Sequence, residues 1–459
     1  MNGAVFSEYQ THRPIWKKLL RETDACTEYD SICVYGEREG NIQMKKLKIL
    51  MVLAVLTAAV LLLGSCTNTN QPGAETGDKS GATEESSGEV TEPVTEADPK
   101  AAWEEGGPGV YEGEKEGIDF VLNVESGKDI QILQLTDPQI TNWKTARNQT
   151  RRDQIRGAFF GDGITDVETK TYRYIREAIE NSSPDLIVIT GDLIYGETDD
   201  SGEIWNDLVA HMDSYGIPWA LTFGNHDNES AKGVNWQIEQ LMNSKYCVFK
   251  RGNVTGNCNY NIVIRQDGEI KYVMYMLDSN GCKEIANPGE GIMKDNVDIK
   301  LIQQKAGIYD DQIAWFKNCA SLIAKEAGKE QVPSLAFYHI APIQVYRVYE
   351  ELYGYTRNRK LVLNHDGDYG LIMEFYKEDA IDRDEKFFAA AKEIGTTGMF
   401  FGHDHDNNGS MMFEGIRLTF GSKCGTHSYS TKRQIGYTQI TIAESDSAMT
   451  VEAHRTKYQ

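Results

Sequence analysis

An α/β body with buried sheets is predicted by three observations. Short apolar strands alternate with amphipathic helices, the order that layered α/β folds require. Histidines, carboxylates and an amide fall directly after the ends of those strands, where such folds gather ligand-binding side chains. No internal repeat is visible, and setting aside the N-terminal segments leaves about 340 residues, which suits one large domain.

The expected strands run over 130–135, 186–190, 219–223, 272–277, 335–338 and 399–401. Between them, Tyr174, Ile175, Ala178 and Ile179 form one helical apolar face, and Ile204, Leu208 and Met212 a second. Ile313, Phe316, Ala320 and Ile323 form a third, with Asp310 or Asp311 as its N-cap and Gly328 as its stop.

The N-terminal region carries an address rather than a fold. Lys45, Lys46 and Lys48 precede an apolar run over 49–63, and Leu63-Gly64-Ser65-Cys66 follows, the basic, apolar and small-residue order of a secretory signal. Its junction resembles the bacterial lipobox, which implies that Cys66 is lipidated and that the body sits on the extracytoplasmic face of a bacterial membrane. An uncleaved signal anchor is the alternative, although the run is short for a membrane span. Residues 1–43 lie upstream of the signal beginning at Met44 and are expected to reflect a start codon chosen too early. From Thr67 to Gly117 the chain is Ser, Thr, Gly, Glu and Pro with few large apolar residues, and is expected to be a disordered acidic tether. Net charge is −22, of which residues 66–116 supply −10 through 13 acids and 3 lysines. A negative chain has no long-range attraction for nucleic acid, so none is expected as a partner. Past the tether stand Cys247, Cys258, Cys282, Cys319 and Cys424, without C-x-x-C spacing; Cys247 and Cys258 could pair across a hairpin.

Taken singly, the polar clusters have ordinary readings as turns or solvated loops. Together, Asp137, Gly191-Asp192, Gly224-Asn225-His226-Asp227, His339 and Gly402-His403-Asp404-His405 converge on a metal site. Their order resembles the five-block pattern of the calcineurin-like metallophosphoesterases over about 118–456, and 216–219, 337–340 and 402–407 resemble the branch related to purple acid phosphatases. The resemblance implies a four-layer α/β/β/α sandwich of two mixed sheets, and hydrolysis of a phosphate ester by a metal-bound hydroxide. Two metal ions can neutralise the ester, orient it and generate that nucleophile near neutral pH. It implies Asp192 as the bridge, Asp137, Tyr195 and His405 on one ion, and Asn225, His339 and His403 on the other. His226 is implied as the general acid at the leaving group, with a purely orienting role as the alternative. Asp227 is expected to orient a loop or a histidine. His427 resembles a position near the substrate pocket.

One departure matters. Most of the superfamily opens with Asp-x-His, whereas here Asp137-Pro138-Gln139 places glutamine at the histidine position. Gly191-Asp192-Leu193-Ile194-Tyr195 supplies instead the Gly-Asp-x-x-Tyr of true purple acid phosphatases, in which the tyrosinate is a ligand; a packed aromatic is the alternative. A tyrosinate favours Fe(III), with a divalent Zn, Fe or Mn beside it. Phosphomonoesters are the expected substrates, phosphodiesters of nucleotides or lipid head groups the second reading, and a noncatalytic metal-binding lipoprotein the third. Arg347, Arg357 and Arg359 could contact a substrate anion.

Overall fold

The computed structural model describes residues 109–142, 167–285, 301–303, 305–353, 361–363, 367–374, 381–429 and 434–456. In chain order the strands are β1 (Gly109–Glu112), β2 (Phe120–Val124), β3 (Ile130–Leu135), β4 (Leu186–Thr190), β5 (Trp219–Thr222), β6 (Cys247–Val248), β7 (Tyr260–Gln266), β8 (Glu269–Met276), β9 (Lys283–Ile285), β10 (Leu301–Gln303), β11 (Ser334–Phe337), β12 (Leu361–Val362), β13 (Leu371–Ile372), β14 (Thr396–Phe401), β15 (Ser410–Phe413), β16 (Ile416–Phe420), β17 (Gly436–Ile442) and β18 (Met449–Arg455). Two mixed sheets dominate. One has the order β1-β2-β7-β8-β11-β14-β16-β15 and the other β18-β17-β3-β4-β5-β6.

In the six-stranded sheet β3, β4, β5 and β6 run parallel. Its central strand, Leu-Ile-Val-Ile-Thr, is buried at every position, the unbroken apolar run expected of a strand covered on both faces. The eight-stranded sheet alternates instead. Tyr272, Met274 and Met276 of β8, Leu335 and Phe337 of β11 and Phe400 of β14 join the core that contains the six-stranded sheet. Val273, Tyr275, Ala336, Met399 and Phe401 face the opposite way, onto the helices Asp310–Glu326, Gln344–Leu352 and Ile381–Glu393. The helices Val167–Ser182, Glu203–Asp213 and Gly233–Asn243 cover the six-stranded sheet through Ile175, Ala178, Trp205, Leu208 and Leu241. The layers are therefore helix, sheet, sheet, helix, as expected. Each fully buried Leu, Ile or Phe in them contributes about 1.5–3 kcal/mol of transfer free energy.

Several expectations are refined. The ordered body begins before residue 118: β1 pairs antiparallel with β2, and Val110 is wholly buried. One apolar anchor and a strand partner suffice to order a segment whose composition reads as tether. Residues 1–108, including Cys66 and the signal, lie outside the described residues. The helix at Asp310 is capped by Tyr309, whose N–H donates to Gln312 Oε1 at 2.8 Å, while Asp310 and Asp311 occupy the first turn beside the positive end of the helix dipole. Gly328 stops it at φ +63°. Cys247 and Cys258 are free thiols, buried in the core with Cys282, Cys319 and Cys424.

Candidate metal centre

Three parallel neighbours end in candidate oxygen ligands. Asp137 follows β3, Asp192 follows β4 and Asn225 follows β5. The first two loops are joined by their backbones, Asp137 N donating to Gly191 O at 3.2 Å, Gln139 N to Asp192 O at 2.9 Å and Tyr195 N to Ile140 O at 2.9 Å. Asp227, fully buried, ties in the third: its carboxylate accepts Gly224 N at 2.7 Å and Ile194 N at 3.1 Å. This is the orienting role its sequence position suggests.

The nitrogen donors come from the other sheet. His339 follows β11, and His403 and His405 follow β14. Gly402 N donates to His339 O at 3.0 Å, so the two loops travel together. His339 Nδ1 lies 2.9 Å from the Thr190 carbonyl and His405 Nδ1 lies 3.0 Å from the Tyr429 carbonyl. A carbonyl can only accept, so each Nδ1 carries the hydrogen and each Nε2 is left as the ligating atom.

Two donor groups result, sharing Asp192. Ligand atoms of Asp137, Asp192 and His405 lie within 4.8 Å of one another, all buried. Asn225 Oδ1 lies 3.1 Å from His339 Nε2 and 2.9 Å from His403 Nδ1, and Asp192 Oδ1 is 3.4 Å from His339 Nε2. Hard carboxylate and amide oxygens with imidazole nitrogens form a donor set suited to Fe, Zn or Mn. Close approach of the sheets depends on glycine. A Cβ on Gly191 would meet His339 Nδ1 at 2.4 Å, and one on Gly402 would meet Asp137 Oδ2 at 2.5 Å. The Gly-Asp and Gly-His pairs of the sequence are thus explained: each glycine leaves room for a ligand from the opposite sheet. Asp137, Asp192 and His403 hold φ of 50°, 50° and 73°, sparsely populated for such residues and frequent at functional sites.

Burial raises the Asp137 carboxyl, but His405, His339 and Lys423 together outweigh it and hold the group at about 2. Asp192 is likewise held well below its ordinary value, burial being overcome by His339 and His226. Burial lowers His339, yet Asp192 raises it to about 10, whereas burial and the neighbouring His339 push His403 down to about 3. The centre therefore favours positive charge between Asp192 and His339, which a metal cation supplies as readily as a proton.

His226 donates its backbone N–H to Asp192 Oδ1 at 2.9 Å, while its Nδ1 lies 3.0 Å from Glu229 Oε2. Glu229 is 2% exposed and His226 is half-buried, so a buried carboxylate steadies a solvent-facing imidazole. Glu229 escapes sequence reasoning; the spacing of three residues from His226 is its only signal. The Tyr195 ring stacks on His226, centroids 4.7 Å apart at 25°, and meets His427 edge-on at 5.7 Å. His427 is fully buried, and burial holds it neutral. Arg347 lies elsewhere: it pairs with Glu385 and lines a cavity of about 350 Å³ with Gln344, Phe388, Lys392, Phe413 and Glu414, none of them a candidate ligand. Arg357 and Arg359 lie outside the described residues.

The calcineurin-like phosphoesterase family model matches residues 130–407, more than half the chain. The chain belongs to this family. Among similar proteins, "Probable inactive purple acid phosphatase 28" of Arabidopsis thaliana is 25% identical over 270 residues, covering 57% of this chain and 64% of that protein. "Phosphatase DCR2" of Saccharomyces cerevisiae is 26% identical over 258 residues, covering 53% of this chain and 39% of that protein. The chain thus spans less than two thirds of the length of these relatives. A dimetal phosphatase from Danio rerio overlays with a TM-score of 0.44 at 12% identity, covering 71% of this chain and 95% of that one. The family is dimetal-dependent, and the buried group of Asp137, Asp192 and His405 is a candidate metal-binding cluster in this member of it.

Proposed function

We propose that this calcineurin-like phosphoesterase is a phosphomonoesterase with two metal ions, working outside the cytoplasm from a lipid anchor at Cys66. The observation that carries the catalytic part is the convergence of two donor groups on one shared carboxylate, Asp192. Asp137, Asp192, Tyr195 and His405 would hold one ion, Fe(III) being the ion a tyrosinate favours, and Asp192, Asn225, His339 and His403 would hold a divalent Zn, Fe or Mn. Such ions supply charge neutralisation of the phosphate and a lowered pKa for water. The remaining work falls to the chain. Asp227 keeps the Asn225 loop in place through its two backbone bonds. Glu229 engages His226 Nδ1, leaving Nε2 as the nitrogen that gives a proton to the departing alkoxide oxygen. His427, fully buried, packs edge-on against the Tyr195 ring.

A second reading, a metal-binding protein without turnover, is favoured by the similarity to the Arabidopsis protein called an inactive purple acid phosphatase and by Gln139 in place of a histidine. Purified protein decides: metal content and hydrolysis of phosphate monoesters and diesters are measured on the same sample. Two metal equivalents with monoester turnover support the proposal. A preference for diesters redirects it to a phosphodiesterase, and metal without turnover leaves the binding protein. The anchor is tested separately. Cys66→Ala is expected to move the protein from membranes to the soluble exported fraction, and unchanged membrane association would place the anchor in the apolar run 49–63.

A further inference from the structure

Behind Asp192 lies a buried chain of hydrogen bonds that the metal-site reading does not use. Lys423, 1% exposed, sits between β16 and β17, where it forms a parallel bridge with Thr136. Its Nζ donates to the Asp137 carbonyl at 2.8 Å and to Gln139 Oε1 at 3.0 Å. Gln139, also 1% exposed, donates from Nε2 to Asp192 Oδ2 at 3.0 Å.

The orientation of that amide follows from chemistry. An ammonium has three donors and no acceptor, so the Gln139 oxygen must face Lys423 and its NH₂ must face the carboxylate. A reversed amide would set its oxygen against Asp192 and its NH₂ against the ammonium, two repulsive contacts among buried side chains. Asp192 is then held from two sides: Oδ2 by Gln139, Oδ1 by the backbone N–H of His226. A carboxylate has about four acceptor positions, so each oxygen keeps one for a cation. Two fixed donors thus leave the number of free lone pairs that a bridging ligand needs.

We propose that Lys423 and Gln139 are a positioning pair: Lys423 sets the Gln139 amide, and Gln139 holds Asp192 in the orientation that bridges two cations. The pair rests on the dimetal reading above. It accounts for glutamine at residue 139 as an outer support of the centre rather than a lost ligand. Removing an outer partner of a metal ligand costs typically 10- to 100-fold in metal affinity.

The test compares wild type, Gln139→Leu, Lys423→Met and the double variant, each as the full chain, by chelator competition for bound zinc and by the kcat and KM of a monoester. Gln139→Leu is expected to lower zinc affinity 10- to 100-fold and to lower kcat more than it raises KM. Lys423→Met is expected to do the same, and the double variant to be no weaker than the worse single, because Lys423 acts on Asp192 through Gln139. Unchanged zinc affinity in Gln139→Leu overturns the proposal, as does a loss in the double variant equal to the product of the singles. If Lys423→Met does not fold, Gln139→Leu decides alone. Wild type that binds no zinc, iron or manganese defeats the dimetal reading instead, so the two failures are distinguishable.

Discussion

The two sheets contribute opposite chemistry to one centre. From the six-stranded sheet come oxygen donors, Asp137, Asp192 and Asn225; from the eight-stranded sheet come nitrogen donors, His339, His403 and His405. Neither edge holds a complete set, and Gly191 and Gly402 allow each to reach the other. The side bearing carboxylates also carries buried acids, Asp199 and Asp227, which burial raises to about 7. The comparison teaches that the centre reports on sheet packing: whatever separates the sheets separates the oxygen ligands from the nitrogen ligands.

The largest expected effects come from removing one ligand on each side. Asp192→Ala should abolish hydrolysis and lose both metals, because both donor groups share it. His339→Ala should abolish hydrolysis but keep the ion nearer Asp137 and His405. Metal stoichiometry by mass spectrometry checks this, and an Asp192 variant that keeps two equivalents breaks the picture of a shared carboxylate.

Next in size is His226, which is bonded to both its own loop and Asp192 but is assigned no metal. His226→Ala should retain metal and lose roughly 10²- to 10⁴-fold in kcat, the range for removing a general acid. Glu229→Gln, which keeps a partner for the ring but removes the charge, should lose less. Metal loss in the His226 variant would move that residue into the ligand set.

Tyr195 sharpens the comparison, since it alone would add a third anion to the oxygen side. Iron-loaded, oxidised protein should absorb visible light by tyrosinate-to-iron charge transfer, and Tyr195→Phe should bleach it and weaken iron binding with the fold intact. Its stacking on His226 gives the competing outcome. A colourless protein with ferric iron bound, or a Phe variant of unchanged iron content, makes Tyr195 a packing residue.

Much of this was legible in the sequence because strand ends carry the ligands. Strands β3 and β4 fall at the residues the apolar runs mark, and each candidate ligand follows its strand by two to five residues. The outer strands β1, β2, β7 and β15 to β18 were not legible. Their runs are short or interrupted by polar residues, as in Gly-Tyr-Thr-Gln-Ile-Thr-Ile, and they are ordered by pairing together with the burial of alternate residues such as Ile440 and Ile442. The support around the ligands was also hidden. Lys423 lies 284 residues from Gln139, and only the packing of the sheets brings such partners together. A buried lysine reads in sequence as a surface charge.

The smallest effect concerns stability on the oxygen side and separates Asp199 from the metal chemistry. Its carboxylate accepts Ile204 N and Trp205 N, both at 2.9 Å, at the start of the helix Glu203–Asp213. Burial nevertheless raises it to about 7, above those bonds' opposing pull, with Asp200 adding to the rise. A carboxyl whose folded-state value is raised binds its proton more tightly folded than unfolded. Its contribution is therefore fully present below the unfolded value near 4 and is lost as pH rises through about 7. At about 1.4 kcal/mol per unit the loss is at most a few kcal/mol. Asp199→Asn removes the titration while keeping one oxygen for the helix. Measured as Tm at pH 5.5 and pH 8, the variant should lose less stability with rising pH than the wild type does. An identical slope in both proteins would mean that the two backbone N–H groups keep Asp199 ionised throughout, and that the buried acids of the oxygen side do not share one behaviour.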